Sequence, residues 1–251
     1  MSAQRARARR PRTLAIDIGG SAIKATVLDA RGRPVVTRMR VATPRPATPT
    51  AMLRVMARLA AALPEFDRVG AGFPGVVVHG VVRTAANLHP SWIGVDLDRR
   101  LERLTSRPSR VANDADVQGL AVVAGRGVEL VITLGTGMGS ALFLDGWLVP
   151  NLELGHHPFI KGRTYEELLG EHALQHVGKA KWNRRLRRAI EVLQETFNCR
   201  RLYLGGGNAR LVRKPHPRGV STVSNVAGLL GCIRLWADAR AALDARRSSR
   251  R

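Results

Sequence analysis

The chain has 251 residues, an ordinary apolar fraction of 45% and a formal net charge of +22. That length and apolar content predict a folded chain of one large or two smaller α/β domains, and disorder is not the default reading. No apolar run approaches the ~18 residues of a membrane span, and the arginine-rich start lacks an apolar h-region.

Thr13–Ile18 reads as a strand that ends in the turn Asp17-Ile18-Gly19-Gly20-Ser21, and Ala22–Asp29 reads as a second. Residues 30–34 turn the chain into a third strand over Val35–Val41. No helix follows the glycines, so this hairpin is not a dinucleotide-binding start. Thr48 and Pro49 predict a helix N-terminus. Apolar residues at Met52, Leu53, Met56, Leu59, Ala60 and Leu63 then keep helical spacing up to Pro64. Arg68–Phe73 is the next strand, followed by Phe73-Pro74-Gly75 and by β runs at Val76–Val78 and Val81–Arg83 around His79-Gly80.

An apolar strand gives way at Asn113-Asp114 to a helix predicted over Asp114–Gly125. Val128–Leu134 and Ser140–Leu144 are strands joined by the glycine loop 135–139, and Asp145-Gly146 turns into Trp147–Val149. This repeats the opening pattern, so the chain reads as two halves, each beginning with a strand–glycine loop–strand unit. Lys179–Phe197 is a helix with Trp182, Leu186, Ile190 and Leu193 on one side and Lys181, Arg184, Arg185 and Arg188 on another. Arg201–Leu204 is a strand leading into Gly205-Gly206-Gly207-Asn208, and Asn225–Leu243 is the last predicted helix.

Two cysteines, Cys199 and Cys232, make neither a disulfide framework nor a zinc cluster, so a reducing cytoplasm is expected. Of the net +22, nine charges sit on arginine tails at 1–12 and 246–251, and the remaining +13 is on the body. Such a body suits a polyanion: nucleic acid, a membrane surface or polyphosphate. Arginine use set by a high-GC genome, or plain solubility, accounts for the same total.

The motifs point to phosphoryl transfer. In Asp17-Ile-Gly-Gly-Ser-Ala-Ile-Lys24, Gly19, Gly20 and Ser21 let the backbone approach a phosphate, Asp17 suits a hydrated Mg²⁺ and Lys24 adds positive charge. A tight hairpin whose aspartate bonds the turn is the alternative. Gly135, Thr136, Gly137 and Gly139 form the second loop of this kind, which is also compatible with an ordinary glycine hairpin. Asp114 can take a proton from a hydroxyl that Asn113 orients, or the pair can be a helix N-cap. Glu153 and His156 can bond neighbouring hydroxyls, or form a solvated loop; with no third ligand nearby, zinc is not expected there.

Taken together and in order, these segments resemble the ROK family of sugar kinases, and within it the polyphosphate glucokinase branch. Phe73-Pro-Gly-Val-Val, Thr84-Ala-Ala-Asn-Leu, Ser91-Trp-Ile-Gly, Asn113-Asp-Ala-Asp, Leu148-Val-Pro-Asn-Leu-Glu-Leu-Gly-His and Leu204-Gly-Gly-Gly carry the likeness alongside the two glycine loops. The resemblance implies an actin-like ATPase (ribonuclease H-like) fold with lobes at 13–114 and 115–245, an interlobe cleft, and a last helix packed back on the first lobe. It implies Asp114 as general base toward the 6-hydroxyl of glucose, with Asn87, Asn113, Glu153 and His156 on the other hydroxyls. Glu166 or Glu167 is a further sugar contact, with Glu167 taken as the candidate. Gly206 and Gly207 would lie near the far end of the donor. The implied donor is polyphosphate or ATP with Mg²⁺, and the implied assembly is a homodimer. Lys161-Gly-Arg-Thr-Tyr-Glu-Glu-Leu-Leu stands where many relatives have a cysteine-rich zinc motif, so no zinc is expected. With about a dozen residues before the first strand, no helix-turn-helix is expected, and nucleic acid would be met only by the basic tails. The rivals are an ATP-dependent hexokinase and a non-catalytic sugar sensor or polyanion binder.

Overall fold

Two five-stranded sheets with one shared topology form the frame, described over residues 10–224 and 228–236 of a computed structural model. In the first, β1 (Thr13–Ile18), β2 (Ala22–Leu28) and β3 (Met39–Ala42) make an antiparallel meander. Helix α1 (Pro49–Ala62) then carries the chain back so that β4 (Arg68–Phe73) lies parallel to β1. A small hairpin, β5 (Val77–Val78) and β6 (Val81–Val82), and helix α2 (Leu97–Thr105) precede β7 (Ser109–Asn113), which pairs parallel with β4.

Helix α3 (Asp114–Val122) leads into the second sheet, where β8 (Val128–Leu134), β9 (Met138–Leu144) and β10 (Trp147–Val149) form another antiparallel meander. The hairpin β11 (Pro158–Ile160) and β12 (Arg163–Thr164) and the helices α4 (Tyr165–Leu169) and α5 (Glu171–Phe197) follow. Strand β13 (Arg201–Gly205) then pairs parallel with β8, and β14 (Val220–Thr222) pairs parallel with β13. The orders β3-β2-β1-β4-β7 and β10-β9-β8-β13-β14 therefore match strand for strand. The sequence echo of two glycine hairpins is a repeat of topology.

Local chemistry sets the elements. Thr48 Oγ1 accepts the Ala51 N–H at 3.4 Å and Pro49 opens α1, whose Met52, Met56 and Leu59 are fully or almost fully buried. Each such side chain contributes about 1.5–3 kcal/mol on leaving water. Elsewhere tertiary bonds move the boundaries. The predicted strand at Val35–Val41 is regular only from Met39; before it, Pro34 bridges Leu28 and the Val35 N–H bonds Val27 C=O at 2.8 Å, after a turn in which Asp29 Oδ1 takes the N–H groups of Arg31 and Arg33. Helix α3 stops at Val122 rather than Gly125, since the Glu129 carboxylate collects the N–H groups of Ala124, Gly125 and Arg126. The predicted Lys179–Phe197 helix follows a separate helical stretch from Glu171, and the two are divided at Gly178, whose φ of 73° and ψ of 160° are not helical. Helices α2 and α4, unread in the sequence, are short, and α2 buries only Leu97 and Leu101.

Residues 228–236 are helical. There Leu229 and Cys232 pack with Ala15, Leu28 and Val117, and a Cβ on Gly70 of β4 would collide with Cys232. Arg5, Arg7, Arg9, the tail at 246–251 and the rest of the last predicted helix lie outside the described residues.

Candidate active site

The centre is the junction of β7 and α3. Asn113 is the N-cap: its Oδ1 accepts the N–H groups of Ala115 at 2.8 Å and Asp116 at 3.2 Å. Its Nδ2 donates to Gly75 C=O at 3.2 Å and to Glu153 Oε1 at 3.3 Å. Asn113 is thus a helix cap that also aims Glu153. Asp114, one residue on, lines a cleft of about 330 Å³. Burial pushes its carboxyl up to about 7, and the charges of Asp17 and Glu153 add to that, against the Ala115 N–H bonded to its Oδ1.

Two turns face the same cleft, and they are built alike. In the β1–β2 turn the carbonyls are tied back: Thr43 Oγ1 bonds Gly19 C=O, Arg45 bonds Gly20 C=O and the Thr43 N–H bonds Ser21 C=O. The N–H groups of Gly20 and Ser21 make no bond among the described residues. In the β8–β9 turn the Glu171 N–H bonds the carbonyls of Gly135 and Thr136, while the N–H groups of Thr136 and Gly137 are left without a partner among the described residues. Carbonyls held away and consecutive N–H groups left open make a cradle for an anion. Gly139 belongs to β9 rather than to the loop, paired with Thr133 and packed on Ala115.

Lys24 Nζ lies 2.7 Å from Asp17 Oδ2. Among the described residues no three His, Cys, Asp or Glu side chains are grouped to hold a metal. A single carboxylate beside open backbone N–H groups fits Mg²⁺, which keeps several waters and takes the rest of its oxygens from substrate phosphates.

On the opposite side, Glu153 Oε2 is 3.4 Å from His156 Nε2, and burial raises the Glu153 carboxyl above its ordinary range. The loop carrying both is fastened by Ser140, whose Oγ donates to Leu152 C=O and accepts the Leu154 N–H. Asn87, Gly206 and Gly207 line the same cleft. Glu167 does not. It is exposed, and it closes a capping box with Thr164 through bonds of 2.7 and 3.2 Å. Its neighbour Glu166 lines the cleft and accepts the Met138 N–H at 3.3 Å. Every other candidate residue from the sequence lies on the cleft wall. Three lining residues lie outside the motif segments: Gln118, Arg40 and Gly228. Gln118 is one helical turn beyond Asp114, a spacing that could have found it. Arg40 is paired in register with Lys24.

Residues 13–161 match the ROK family. The chain belongs to the ROK family. Among relatives, the ROK chain is 36% identical over 242 residues to the polyphosphate glucokinase of Mycobacterium leprae (strain TN), covering 88% of this chain and 74% of that one. It is 34% identical over 233 residues to the polyphosphate glucokinase of Mycobacterium tuberculosis (strain ATCC 25618 / H37Rv), covering 86% and 88%. Its structure superposes with a TM-score of 0.82 on the inorganic polyphosphate/ATP-glucomannokinase of Arthrobacter sp. strain KM, at 34% identity over 91% of this chain and 100% of that one. A ROK family glucokinase from Streptomyces griseus, solved with glucose and AMPPNP, shares the fold at a TM-score of 0.77 and 20% identity, over 89% and 98%. The two matched sheets of this ROK protein are those of the actin-like ATPase fold.

Proposed function

We propose that the protein is a sugar kinase that moves the terminal phosphoryl group of inorganic polyphosphate, with ATP as a second donor, onto the 6-hydroxyl of glucose. The observation that carries this reading is a carboxyl raised to about 7, at Asp114, in a cleft shared with two turns of open N–H groups. A base needs a pKa near the working pH, and a transferring phosphoryl group needs fixed donors around its oxygens. Likeness to the mycobacterial and Arthrobacter proteins supports both the sugar and the donor.

In this reading Glu153, His156, Glu166 and Asn87 hold the sugar, and Asn113 orients Glu153. The Asp114 carboxylate takes the proton of the 6-hydroxyl as that oxygen forms its bond to phosphorus. The bond from phosphorus to the bridging oxygen breaks, and the shortened polyphosphate leaves with the electron pair. The turns at Gly20-Ser21 and Thr136-Gly137, with Lys24 and Arg40, hold the phosphate oxygens. Asp17 would hold Mg²⁺, which supplies charge neutralisation on the donor. The lobes 13–114 and 115–245 meet at Asn113-Asp114, and their closure over the sugar excludes water and limits hydrolysis.

The test is formation of glucose 6-phosphate from glucose and Mg²⁺ with polyphosphate or ATP, repeated with mannose. Product from polyphosphate is expected. Product from ATP alone would overturn the donor assignment, and none from either would overturn the kinase.

A further inference from the structure

A second concavity, of about 160 Å³, lies between α5 and the loop that follows the glycine run. One wall is the face of α5 that carries Asn183, Arg184 and Arg187, and the other is the 212–217 loop with Arg213 and His216. Asn183 joins the walls: its Nδ2 donates to Leu211 C=O at 3.1 Å and its Oδ1 accepts the Arg213 N–H at 2.7 Å. Both ring nitrogens of His216 are buried without a hydrogen-bond partner among the described residues. A neutral imidazole always carries one N–H, so the groove holds a donor with no acceptor. Arg200 and Arg218 continue the basic surface into the next hollow, where Gln194 of α5 bonds Arg218 C=O at 2.9 Å.

These arginines have no counter-charge among the described residues. The ion pair on α5 among the described residues is Arg188 with Glu191, and none involves Arg184, Arg187, Arg200, Arg213 or Arg218. The groove is joined to the cleft through the chain. Gly206 and Gly207 line the cleft, and the short turn Gly207–Leu211 runs from them into the groove wall. Asn208 fixes that turn to the β8–β9 turn by bonding Gly135 C=O at 3.4 Å and Glu171 Oε2 at 2.6 Å.

We propose that this groove is a distal subsite for linear inorganic polyphosphate, holding phosphate units beyond those that reach the cleft. The inference rests on the donor reading above and names where a long donor is held. A row of guanidinium groups matches a chain that offers phosphate oxygens along its whole length. Single-stranded nucleic acid also needs aromatic faces for its bases, and no Phe, Tyr or Trp lines either hollow. A compact nucleotide has no phosphates to extend this far, so the groove favours long chains over ATP.

The test replaces Arg184, Arg187 and Arg213 together by Gln; all three are exposed, and Gln keeps good helix propensity on α5. A control, Lys181→Gln with Arg188→Gln, removes exposed charge from α5 outside the groove. For the groove variant, KM for long-chain polyphosphate should rise about tenfold with kcat unchanged, and the salt slope of KM should fall by roughly 0.7–1 per arginine removed. KM for tripolyphosphate and for ATP should stay as in the wild type. An unchanged KM for the long chain, an equal rise for tripolyphosphate, or an equal rise in the control would each overturn the subsite. Anisotropy of labelled polyphosphate reads binding without turnover: loss of binding in the groove variant supports the subsite even if the wild type transfers only from ATP, an outcome that defeats the donor reading alone. A single-stranded oligonucleotide held as tightly as polyphosphate, with the same loss in the variant, would overturn the assignment to polyphosphate.

Discussion

Asn151 and Val77 hold each other through two bonds of 3.0 Å, the Val77 N–H to Asn151 Oδ1 and Asn151 Nδ2 to Val77 C=O. The Asn151 N–H in turn bonds Asp116 Oδ2 at 3.1 Å. One residue, through its side chain and its main-chain N–H, therefore ties the β5–β6 hairpin of the first half to α3 and to the loop that presents Glu153. Asn151 does this at a φ of 62°, a backbone region that Asn tolerates better than most residues.

Asn151→Ala should remove both bonds, leave a buried Val77 peptide unpaired and add strain at that φ. We expect a loss of about 2–4 kcal/mol in urea unfolding, together with a higher KM for glucose as Glu153 loosens. An unchanged unfolding midpoint would mean that the bridge does not bear on stability.

Asp116 is buried, its Oδ1 has no partner among the described residues, and burial pushes its carboxyl up to about 7. The unfolded carboxyl titrates near 3.8, so the folded state favours the neutral form. That contribution is fully present below the unfolded pKa and is lost as pH rises through about 7. Asp116→Asn keeps an acceptor for the Asn151 N–H, and should flatten the fall in stability between about pH 4 and 7, where one group costs up to about 1.4 kcal/mol per pH unit. Asp114, raised for the same reason, leaves part of the slope. Chemical unfolding across that range decides; a variant with the wild-type slope would count against a neutral Asp116.

Asp114→Asn should lower kcat by about 10²–10⁴ and leave the fold and glucose binding intact. In the wild type, kcat/KM should rise with pH through about 7 and then level off, because the base works only when ionised. Turnover by the variant at the wild-type rate would remove Asp114 from the chemistry.

Glu166→Gln and Glu167→Gln separate neighbours that the sequence could not. Glu166→Gln should raise KM for glucose, since that carboxylate faces the cleft. Glu167→Gln should leave KM alone and cost at most about 1 kcal/mol through a weakened cap. The reverse pattern would place Glu167 on the sugar.

Much of the frame is legible residue by residue. Strands at Thr13–Ile18, Arg68–Phe73, Val128–Leu134 and Trp147–Val149 fall where alternating or continuous apolar runs meet turn residues, and α1 starts at its cap. The two glycine turns are legible as well, because the need for a tight turn and an open backbone is a local property. The order of the family's motifs groups Asp114, Asn87, Glu153, His156 and the glycines, and all of them line one cleft.

What the tertiary structure decided is whatever depends on contacts distant in sequence. Adjacent residues on a helix point about 100° apart, and only the packing of α4 against the cleft selects Glu166 over Glu167. Helix α3 ends where Glu129 reaches back to cap it. The excess of arginine was visible in composition. That Arg184, Arg187 and Arg213 share one groove was not, because a helix and a loop 28 to 30 residues beyond Asn183 had to be clasped by that side chain first. The sequence by itself determined the turns, the strands and the chemical groups; long-range hydrogen bonds and burial decided which of those groups face the same space.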